Sequence, residues 1–363
     1  MRIAIDVSSA AKPNPTGIAR YQIELVRAAG PQLASDDRLM LTVRLNRWTR
    51  RKYLKALFDV RGVEKPRWLV PKVDIFHAGG IASPRRASGL KVVSVFDTAT
   101  IDTPEFSTPT FGESYSRNMR NALAHSDLVI AISGFVRDRI LQLFPNLEPR
   151  RVVTVSLGAD HAGLSEIAEP RDREVLERLR LDRHRFILFV GRVERRKNPE
   201  GLVRAFARTA AASEHILVFA GPGGESDVMS AVDAACVNER VRFLGRVDDS
   251  DLGPLYRGAD LFALPSHYEG FGIPLLEAMA CGTPSLAGNR TAMPEVAGDA
   301  ALLVDAKSVA AIADGIERLI VDRHLREELK TRGRVQASKF RWRRCARETL
   351  DAYRYALELG PRR

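Results

Sequence analysis

Two glutamates eight positions apart, Glu269 and Glu277, enclose a glycine-rich loop and the start of a predicted helix. The surrounding segment, residues 266–284, reads SHYEGFGIPLLEAMACGTP and follows a short apolar run typical of a buried parallel strand. Pro274 suits the first position of a helix because its missing N–H would have no helical partner there. Unpaired amides and the helix dipole attract anions at such a terminus. The spacing therefore predicts a site at which two carboxylates hold different parts of one elongated ligand.

This segment resembles the E-x7-E signature of the retaining glycosyltransferase family 4, whose members have the GT-B fold. Glu269 and Glu277 match the two glutamates, and GFGIPLLEAM matches the family almost letter for letter. The resemblance covers nearly the whole chain, closely over 186–305 and more loosely before residue 133. In the first half GIARY, DIFHAGG, ISGFVRD and VSLGAD are similar to mannosyltransferase-like members. It implies an α/β protein with two Rossmann-like domains facing each other across a cleft, and a C-terminal helix that crosses back to the N-terminal domain.

The resemblance also implies roles for individual residues. Arg192 and Lys197, in GRVERRKNPEGL, match the basic pair that holds the donor diphosphate, where cations stabilise the negative charge of the leaving group. Glu269 is expected to face the transferred sugar, and Glu277 to bind the ribose hydroxyls, since a carboxylate accepts two hydrogen bonds from a cis-diol. We interpret Arg195 and Arg196 as solvent-facing or secondary charges. The predicted catalytic residues are thus Arg192, Lys197 and Glu269, and the predicted donor-binding residues are Gly17, Arg246, Val247, Gly270, Phe271, Gly272 and Glu277.

One departure from the family pattern concerns the sugar pocket. Relatives usually carry a His-Asp pair after the fourth strand, and this chain has Phe96 and Asp97 there. We therefore consider Asp97 and the nearby His77 as candidates for an acceptor or sugar pocket. For His77 a structural hydrogen-bonding role is an equal alternative.

The string Asp249-Ser250-Asp251 matches the DxD pattern that binds metal in a different class of glycosyltransferase. Here it follows a strand and precedes a helix, where Asp and Ser are expected caps. We therefore predict no metal site and no cofactor, with the nucleotide sugar acting as a substrate.

The length and alternation of the chain predict two domains. The 363 residues exceed one ordinary core, and strands alternate with helices throughout, which indicates parallel sheets covered on both faces. The stretch 162–170 lacks periodicity and is typical of a linker. With the roles that the family resemblance implies, we predict an acceptor-binding domain over 1–165, a nucleotide-sugar-binding domain over 166–340, and a C-terminal helix over 341–363 that packs on the first domain.

Charge and apolar patterning suggest where the protein acts. Apolar runs are shorter than the ~20 residues that a membrane span needs. The start MRIAIDVSS lacks the pattern of a signal peptide, and the three cysteines suit a reducing compartment. The net charge of +11 is concentrated in two segments. Residues 331–363 are strongly basic, and residues 44–58 hold six basic side chains among aromatic and apolar ones. We expect a cytoplasmic protein with peripheral contact to an anionic membrane and no nucleic-acid partner, although a merely solvated basic face is an open alternative.

The family resemblance implies a retaining glycosyltransferase, and the interpretation of the DxD string as a cap adds the expectation that it is metal-independent. The expected donor is GDP-mannose or a related GDP-sugar, with a UDP-sugar as the alternative, and the expected acceptor is a glycan or lipid-linked glycan of a cell-surface polysaccharide. Two other functions remain open: a nucleotide-sugar epimerase of the same fold, and a non-catalytic protein that binds nucleotide sugars.

Overall fold

The computed structural model describes residues 1–11, 17–44, 46–47, 54, 65–66, 72–81, 88–161 and 163–362. Its contacts divide the chain into two compact units. The first unit contains 1–158 and 342–363, and the second contains 159–341. The chain thus passes between units at 158/159 and 341/342, whereas we expected the boundaries at 165/166 and 340/341. Most of the basic segment 44–58 lies outside the described residues.

The first unit is built on a seven-stranded sheet in which every pairing is parallel. Its strand order is β3-β2-β1-β4-β5-β6-β7. The strands are β1 (Arg2–Asp6), β2 (Arg38–Val43), β3 (Lys65–Pro66), β4 (Ile75–Ala78), β5 (Leu90–Val95), β6 (Leu128–Ala131) and β7 (Val152–Thr154). Its described helices are Gly17–Ala29, Ala99–Asp102, Pro109–Ala124, Gly134–Leu143 and Trp342–Leu359, with short 3-10 turns at Gly30–Gln32, Pro104–Phe106 and Pro149–Arg151.

The C-terminal helix belongs to this first unit, as predicted. It spans Trp342–Leu359 and packs against the helix Gly17–Ala29. The side-chain amide of Gln32 donates to the carbonyl of Arg343 at 3.0 Å, and a Cβ on Gly158 would lie 2.3 Å from the backbone nitrogen of Trp342. The strongly amphipathic sequence of this helix therefore buries its apolar face on the first unit.

The second unit has a six-stranded parallel sheet in the order β10-β9-β8-β11-β12-β13. The strands are β8 (Arg185–Val190), β9 (His215–Ala220), β10 (Val241–Gly245), β11 (Leu261–Leu264), β12 (Ser285–Gly288) and β13 (Leu302–Val304). The helices are Pro170–Arg178, Pro199–Phe206, Ala211–Glu214, Glu225–Ala234, Asp249–Gly258, Ile273–Ala280, Met293–Ala297, Val309–Val321 and Arg323–Ser338, with 3-10 turns at Arg195–Lys197 and Asn238–Arg240.

The order of the second sheet determines where a ligand can bind. The chain adds strands on one side of β8 up to β10 and then crosses to the other side with β11. In such doubly wound sheets, ligands bind beyond the carboxyl ends of the strands at this change of direction. The loops after β8 and β11 carry the segments containing Lys197 and Glu269, so the fold places these predicted residues at the favoured position.

Among the described helices, none is both long enough and apolar enough to cross a membrane.

Candidate active site

Glycines at the carboxyl ends of β8, β9 and β10 shape the floor of the site. Gly191, Gly221 and Gly245 all have positive φ angles, which favour glycine over other residues. A Cβ on Gly221 would lie 1.9 Å from the carbonyl oxygen of Gly191, and one on Gly191 would lie 2.8 Å from Nζ of Lys197. The strand ends thus pack directly against each other and against the Lys197 side chain.

Glu269 lies at the centre of a buried ionic cluster. Its Oε1 is 3.1 Å from Nζ of Lys197, and its Oε2 is 3.3 Å from Nη1 of Arg196. The hydroxyl of Ser266 donates to Oε1 at 3.0 Å, while the Glu269 amide donates to the hydroxyl of Thr291. The structure therefore joins the loop after β8 to the loop after β11 through this carboxylate.

The cluster keeps Glu269 ionised. Burial alone would raise the pKa of Glu269, but the charges of Lys197 and Arg196, with hydrogen bonds from Lys197 and Ser266, lower it to about 2. At neutral pH this carboxylate can accept hydrogen bonds or stabilise positive charge, but it has no proton to donate.

Arg196 is a functional candidate that our sequence interpretation missed. We expected a solvent-facing or secondary charge, but the side chain is only 20% exposed. It donates to the carbonyl of Tyr268 at 2.6 Å and to Glu194 at 2.6 Å, in addition to its contact with Glu269. It lies in the 3-10 turn Arg195–Lys197, whose tight spacing directs Arg196 and Lys197 toward the same carboxylate. The run of three basic residues was the available signal, but it does not show which of them turns inward.

Arg192 differs from this cluster in being exposed. Its side chain runs beside the loop after β9, where a Cβ on Gly223 would lie 3.4 Å from Nη1 of Arg192. Within the described ranges it has no hydrogen-bond or ion-pair partner. Its guanidinium is thus available to an anion at the strand ends.

Glu277 lies in the helix Ile273–Ala280, which Gly272 precedes with a φ of 102°. Pro274 is therefore the second helical residue, whereas we expected the first. The Glu277 carboxylate is buried: Oε2 accepts a hydrogen bond from the Tyr256 hydroxyl at 2.7 Å, and Oε1 is 3.0 Å from Nε2 of His161. This His161 contact is not aligned as a hydrogen bond. Tyr256 and His161 were both missed from the sequence, because they lie 21 and more than 100 positions from Glu277 in the chain.

The loop between the two glutamates is buried. Gly270, Phe271 and Gly272 are all shielded, and the Phe271 ring meets Phe340 edge-on with centroids 5.7 Å apart. A Cβ on Gly272 would lie 2.8 Å from the sulfur of Met293. This packing fixes the backbone path of the loop and explains why glycine occupies position 272.

The other predicted donor contacts occupy strand and helix ends. Arg246 is exposed and Val247 is half-buried, directly after β10 in the second unit. Gly17 is exposed and begins the helix Gly17–Ala29 in the first unit, as expected. Their contact with a donor stays a prediction.

His77 is a core residue, the second of the two roles that we considered for it. Its side chain is fully buried on β4, with Nδ1 2.6 Å from the Tyr353 hydroxyl and Nε2 2.8 Å from the Ser94 hydroxyl. The Tyr21 hydroxyl lies 2.9 Å from the same serine oxygen. Burial lowers the pKa of His77 to about 3, with a weaker raising influence from Asp6. Both ring nitrogens are already engaged, so the structure does not support the sugar-pocket role.

Asp97 follows β5 and is half-buried. Its carboxylate accepts a hydrogen bond from the Ala99 amide at 3.2 Å, and its carbonyl accepts one from the Tyr115 hydroxyl at 3.5 Å. The preceding Phe96 packs edge-on against Tyr21, with ring centroids 5.1 Å apart. Phe96 thus contributes an apolar contact at the position where the family resemblance led us to expect a histidine.

Asp251 has a structural role different from the cap that we expected. It is buried at the start of the helix Asp249–Gly258 and forms ion pairs with Arg171 at 2.7 Å and Arg178 at 2.6 Å. The residue in the N-cap position, Asp248, makes no side-chain capping hydrogen bond. The second carboxylate of the DxD string therefore ties two helices together.

Comparisons with known proteins show which proteins the chain is similar to. Residues 172–336 match the family described as Glycosyl transferases group 1. The chain is 32% identical to the O-antigen chain mannosyltransferase B of Escherichia coli, over 93% of this chain and 96% of that protein. It is also 32% identical to the D-inositol 3-phosphate glycosyltransferase of Salinispora tropica, over 81% of this chain and 61% of that protein.

Solved structures share the whole architecture. Sucrose-phosphate synthase from Thermosynechococcus elongatus aligns with a TM-score of 0.75 and 18% identity, covering 99% of this chain and 100% of that chain. Anabaena HepE, solved with UDP and glucose, aligns with a TM-score of 0.75 and 17% identity, covering 97% and 98%. The predicted GT-B fold is thereby confirmed.

The close match to O-antigen chain mannosyltransferase B over nearly the full length of both proteins shows that the chain belongs to the group 1 glycosyltransferases, as a mannosyltransferase-type member of glycosyltransferase family 4.

Proposed function

We propose that this enzyme transfers a sugar from a nucleotide-sugar donor to a glycan or lipid-linked glycan during cell-surface polysaccharide synthesis, with retention of the anomeric configuration. GDP-mannose or a related GDP-sugar is the favoured donor, because the relative with 96% coverage is named as an O-antigen chain mannosyltransferase. A UDP-sugar is the alternative, since the structural neighbour HepE was solved with UDP. The observation that carries the proposal is the buried contact of Glu269 with Lys197 and Arg196, beside the exposed Arg192.

Arg192 and Lys197 would bind the donor diphosphate. A guanidinium binds phosphate through two parallel hydrogen bonds, and Arg192 is exposed at the strand ends where a phosphate would lie. An ammonium group has three donors, so Lys197 can keep its contact with Glu269 and still donate to a phosphate oxygen. Both cations would stabilise the charge that develops on the leaving group.

Glu269 would act as a permanent anion next to the reacting sugar. With a pKa of about 2 it is too weak a base to take the acceptor proton near neutral pH. In our proposal the bond from the anomeric carbon to the donor phosphate breaks and a bond to the acceptor oxygen forms on the same face. The acceptor proton passes to the leaving diphosphate, while Glu269 stabilises positive charge on the sugar.

Glu277 would bind the ribose of the donor. Tyr256 donates to one of its oxygens, and each carboxylate oxygen can accept more than one hydrogen bond. Tyr256 would thus act as a positioning residue that orients the carboxylate.

We further propose that the reaction needs no metal, because Arg192 and Lys197 supply positive charge where a metal would act. Transfer measured in EDTA tests this point. Loss of activity that Mg²⁺ or Mn²⁺ restores would contradict it.

A panel of donors distinguishes the proposal from its alternatives. The purified enzyme is incubated with GDP-mannose, UDP-glucose or UDP-N-acetylglucosamine and an extracted lipid-linked glycan, and the products are analysed by NMR. We expect one glycosidic product with the anomeric configuration of the donor. An epimerised nucleotide sugar would instead indicate an epimerase, and binding without a product would indicate a binding protein.

We also infer a peripheral position on the cytoplasmic membrane surface, from the basic and aromatic sequence of residues 44–58. Each basic residue near an anionic bilayer contributes about 1 kcal/mol, so several together suffice for reversible binding. Flotation with anionic liposomes tests this inference, with Arg50, Arg51, Lys52 and Lys55 changed to Glu as the matched variant. Equal binding by the wild type and this variant would contradict it.

A further inference from the structure

A groove in the first unit has no role in the mechanism described above. Its volume is about 480 Å³, and it lies between the helix Ala99–Asp102, the turn Pro104–Phe106 and the helix Pro109–Ala124. Six of the lining residues have hydroxyl or charged side chains. They are Thr100, Thr108, Glu113, Ser116, Arg117 and Arg120.

An unpaired hydroxyl provides independent support for a ligand. Thr100 is 9% exposed, and its Oγ1 has no hydrogen-bond partner in the described part of the chain. A buried hydroxyl without a partner costs free energy, and natural proteins rarely retain one without a reason. A hydrogen-bonding ligand in the groove would supply the missing partner.

The floor of the groove is firmly held. Asp102, at the end of the short helix that carries Thr100, accepts a hydrogen bond from the Thr98 hydroxyl at 2.6 Å. Its carboxylate also forms an ion pair with Arg139, in which Nε of Arg139 donates to Oδ2 at 3.2 Å. These contacts fix the helix before any ligand arrives, which limits the entropy lost on binding.

The charged wall indicates an anionic ligand. Arg117 and Arg120 are exposed, have no acidic partner in the described ranges, and lie three positions apart on one helix, so they share a face. Glu113 is the one carboxylate of the lining. Arginine binds phosphate through a planar pair of donors, whereas the hydroxyls and Glu113 suit the hydroxyl groups of a sugar.

We propose that this groove is a binding site for a glycosyl phosphate, in which Arg117 and Arg120 bind the phosphate and Thr100, Ser116 and Glu113 bind sugar hydroxyls. This inference rests on the proposed function and adds that the acceptor carries a phosphate next to its sugar. That chemistry is found both in a lipid-linked glycan and in a free sugar phosphate.

Titration without nucleotide tests the site independently of the donor. The full chain is titrated with mannose, mannose 1-phosphate and inorganic phosphate, and binding is followed by ligand-observed NMR. We expect mannose 1-phosphate to bind about tenfold more tightly than either mannose or inorganic phosphate, because it makes both sets of contacts. Equal affinity for mannose and mannose 1-phosphate would overturn the proposal, as would equal affinity for inorganic phosphate and mannose 1-phosphate.

Variants locate the binding. The double variant Arg117→Gln with Arg120→Gln should abolish the preference for the phosphorylated sugar. The matched control is Arg343→Gln with Arg347→Gln, because it removes equal charge elsewhere on the first unit. This control should retain the preference. If both double variants change this preference equally, the assignment of binding to the groove is overturned. Thr100→Val should weaken mannose 1-phosphate binding about tenfold without lowering Tm, and unchanged binding would count against the role of this hydroxyl.

A last comparison identifies the source of the ligand. Tighter binding of a prenyl diphosphate-linked disaccharide in micelles than of mannose 1-phosphate identifies the lipid-linked form, and equal binding identifies the free glycosyl phosphate. Absence of nucleotide binding, measured in parallel, would refute the donor site but leave the groove result intact.

Discussion

Nζ of Lys197 lies 3.1 Å from Oε1 of Glu269, although the two residues follow different strands of the second sheet. Their side chains are 10% and 9% exposed. Because β8 and β11 are neighbours, the loops at their carboxyl ends meet, and a cation from one pairs with an anion from the other. Removing one member of a buried pair leaves the other uncompensated, so this contact links catalysis to stability.

We expect Lys197→Ala to lose both activity and stability. Arg196 still pairs with Glu269 in this variant, so the free energy of unfolding should fall by about 2 kcal/mol, less than for a fully orphaned charge. Turnover should fall about a hundredfold or more. Urea unfolding and initial rates check the two effects. Wild-type stability in this variant would contradict the buried pair.

Arg192→Ala should lower the activity without lowering the stability. This side chain is exposed and unpaired within the described residues, so its loss should leave the free energy of unfolding within about 0.5 kcal/mol of wild type. Turnover should still fall about a hundredfold, since the diphosphate loses a cation. The matched control is Arg195→Ala, an exposed arginine in the next turn, which should change neither quantity. Full activity of Arg192→Ala would refute its assignment.

The depressed pKa of Glu269 predicts a specific pH dependence of stability. The pKa is about 2 in the folded protein against an ordinary value of 4.5, so the stabilisation is complete above pH 4.5 and is lost as the pH falls toward 2. Urea unfolding of wild type and Glu269→Gln at pH 7, 5, 4 and 3 measures this stabilisation. The difference in the free energy of unfolding between the two proteins should be constant between pH 7 and 5 and shrink below pH 4.5. A difference that stays constant down to pH 3 would contradict the assignment.

The sequence predicted the second unit better than the first. Its apolar strand segments and the E-x7-E segment lie within one continuous stretch, so local pattern predicted the alternation of strands and helices, and the family resemblance carried by this stretch singled out Lys197 and Glu269. The helix Trp342–Leu359 lies within the segment 341–363 that was predicted as a C-terminal helix. Its amphipathic period and flanking residues define it without reference to the rest of the fold.

Residues whose roles depend on distant partners could not be predicted. His77 has a hydrogen-bond partner 276 positions away, Tyr353, so the sequence left its two roles equally open. Arg196 and His161 turn toward the glutamates only because of loop geometry, and no local sequence pattern distinguishes them from residues that lie on the surface. Asp251 was assigned to a cap because its two arginine partners lie more than 70 positions earlier.

The buried His77 should make the free energy of unfolding depend on pH, in a range above that of Glu269. Its pKa is about 3 in the folded protein and 6.5 for an ordinary histidine, so below pH 6.5 the unfolded chain binds a proton that the folded protein excludes. Stability should therefore fall from pH 6.5 toward 3, by up to about 1.4 kcal/mol per pH unit. His77→Gln should remove this part of the slope and leave the KM for the donor unchanged. An increased KM would return His77 to the substrate site.

Tyr256→Phe should affect donor affinity more than turnover. The variant removes the hydroxyl that donates to Glu277 at 2.7 Å, so the carboxylate is less well oriented for the ribose. We expect the KM for the donor to rise about tenfold and kcat to change much less. Tyr355→Phe, on the C-terminal helix, is the matched control. An unchanged KM would show that Glu277 does not depend on this hydroxyl.

The most direct test of the central claim is the release of GDP from GDP-mannose with and without a lipid-linked glycan acceptor, in the wild type and in Arg192→Ala. The proposed function predicts release that depends on the acceptor and falls about a hundredfold in the variant, with one sugar transferred for each GDP released. Release that is independent of the acceptor would contradict the assignment as a glycosyltransferase, and equal release in both proteins would contradict the assignment of Arg192 to the donor diphosphate.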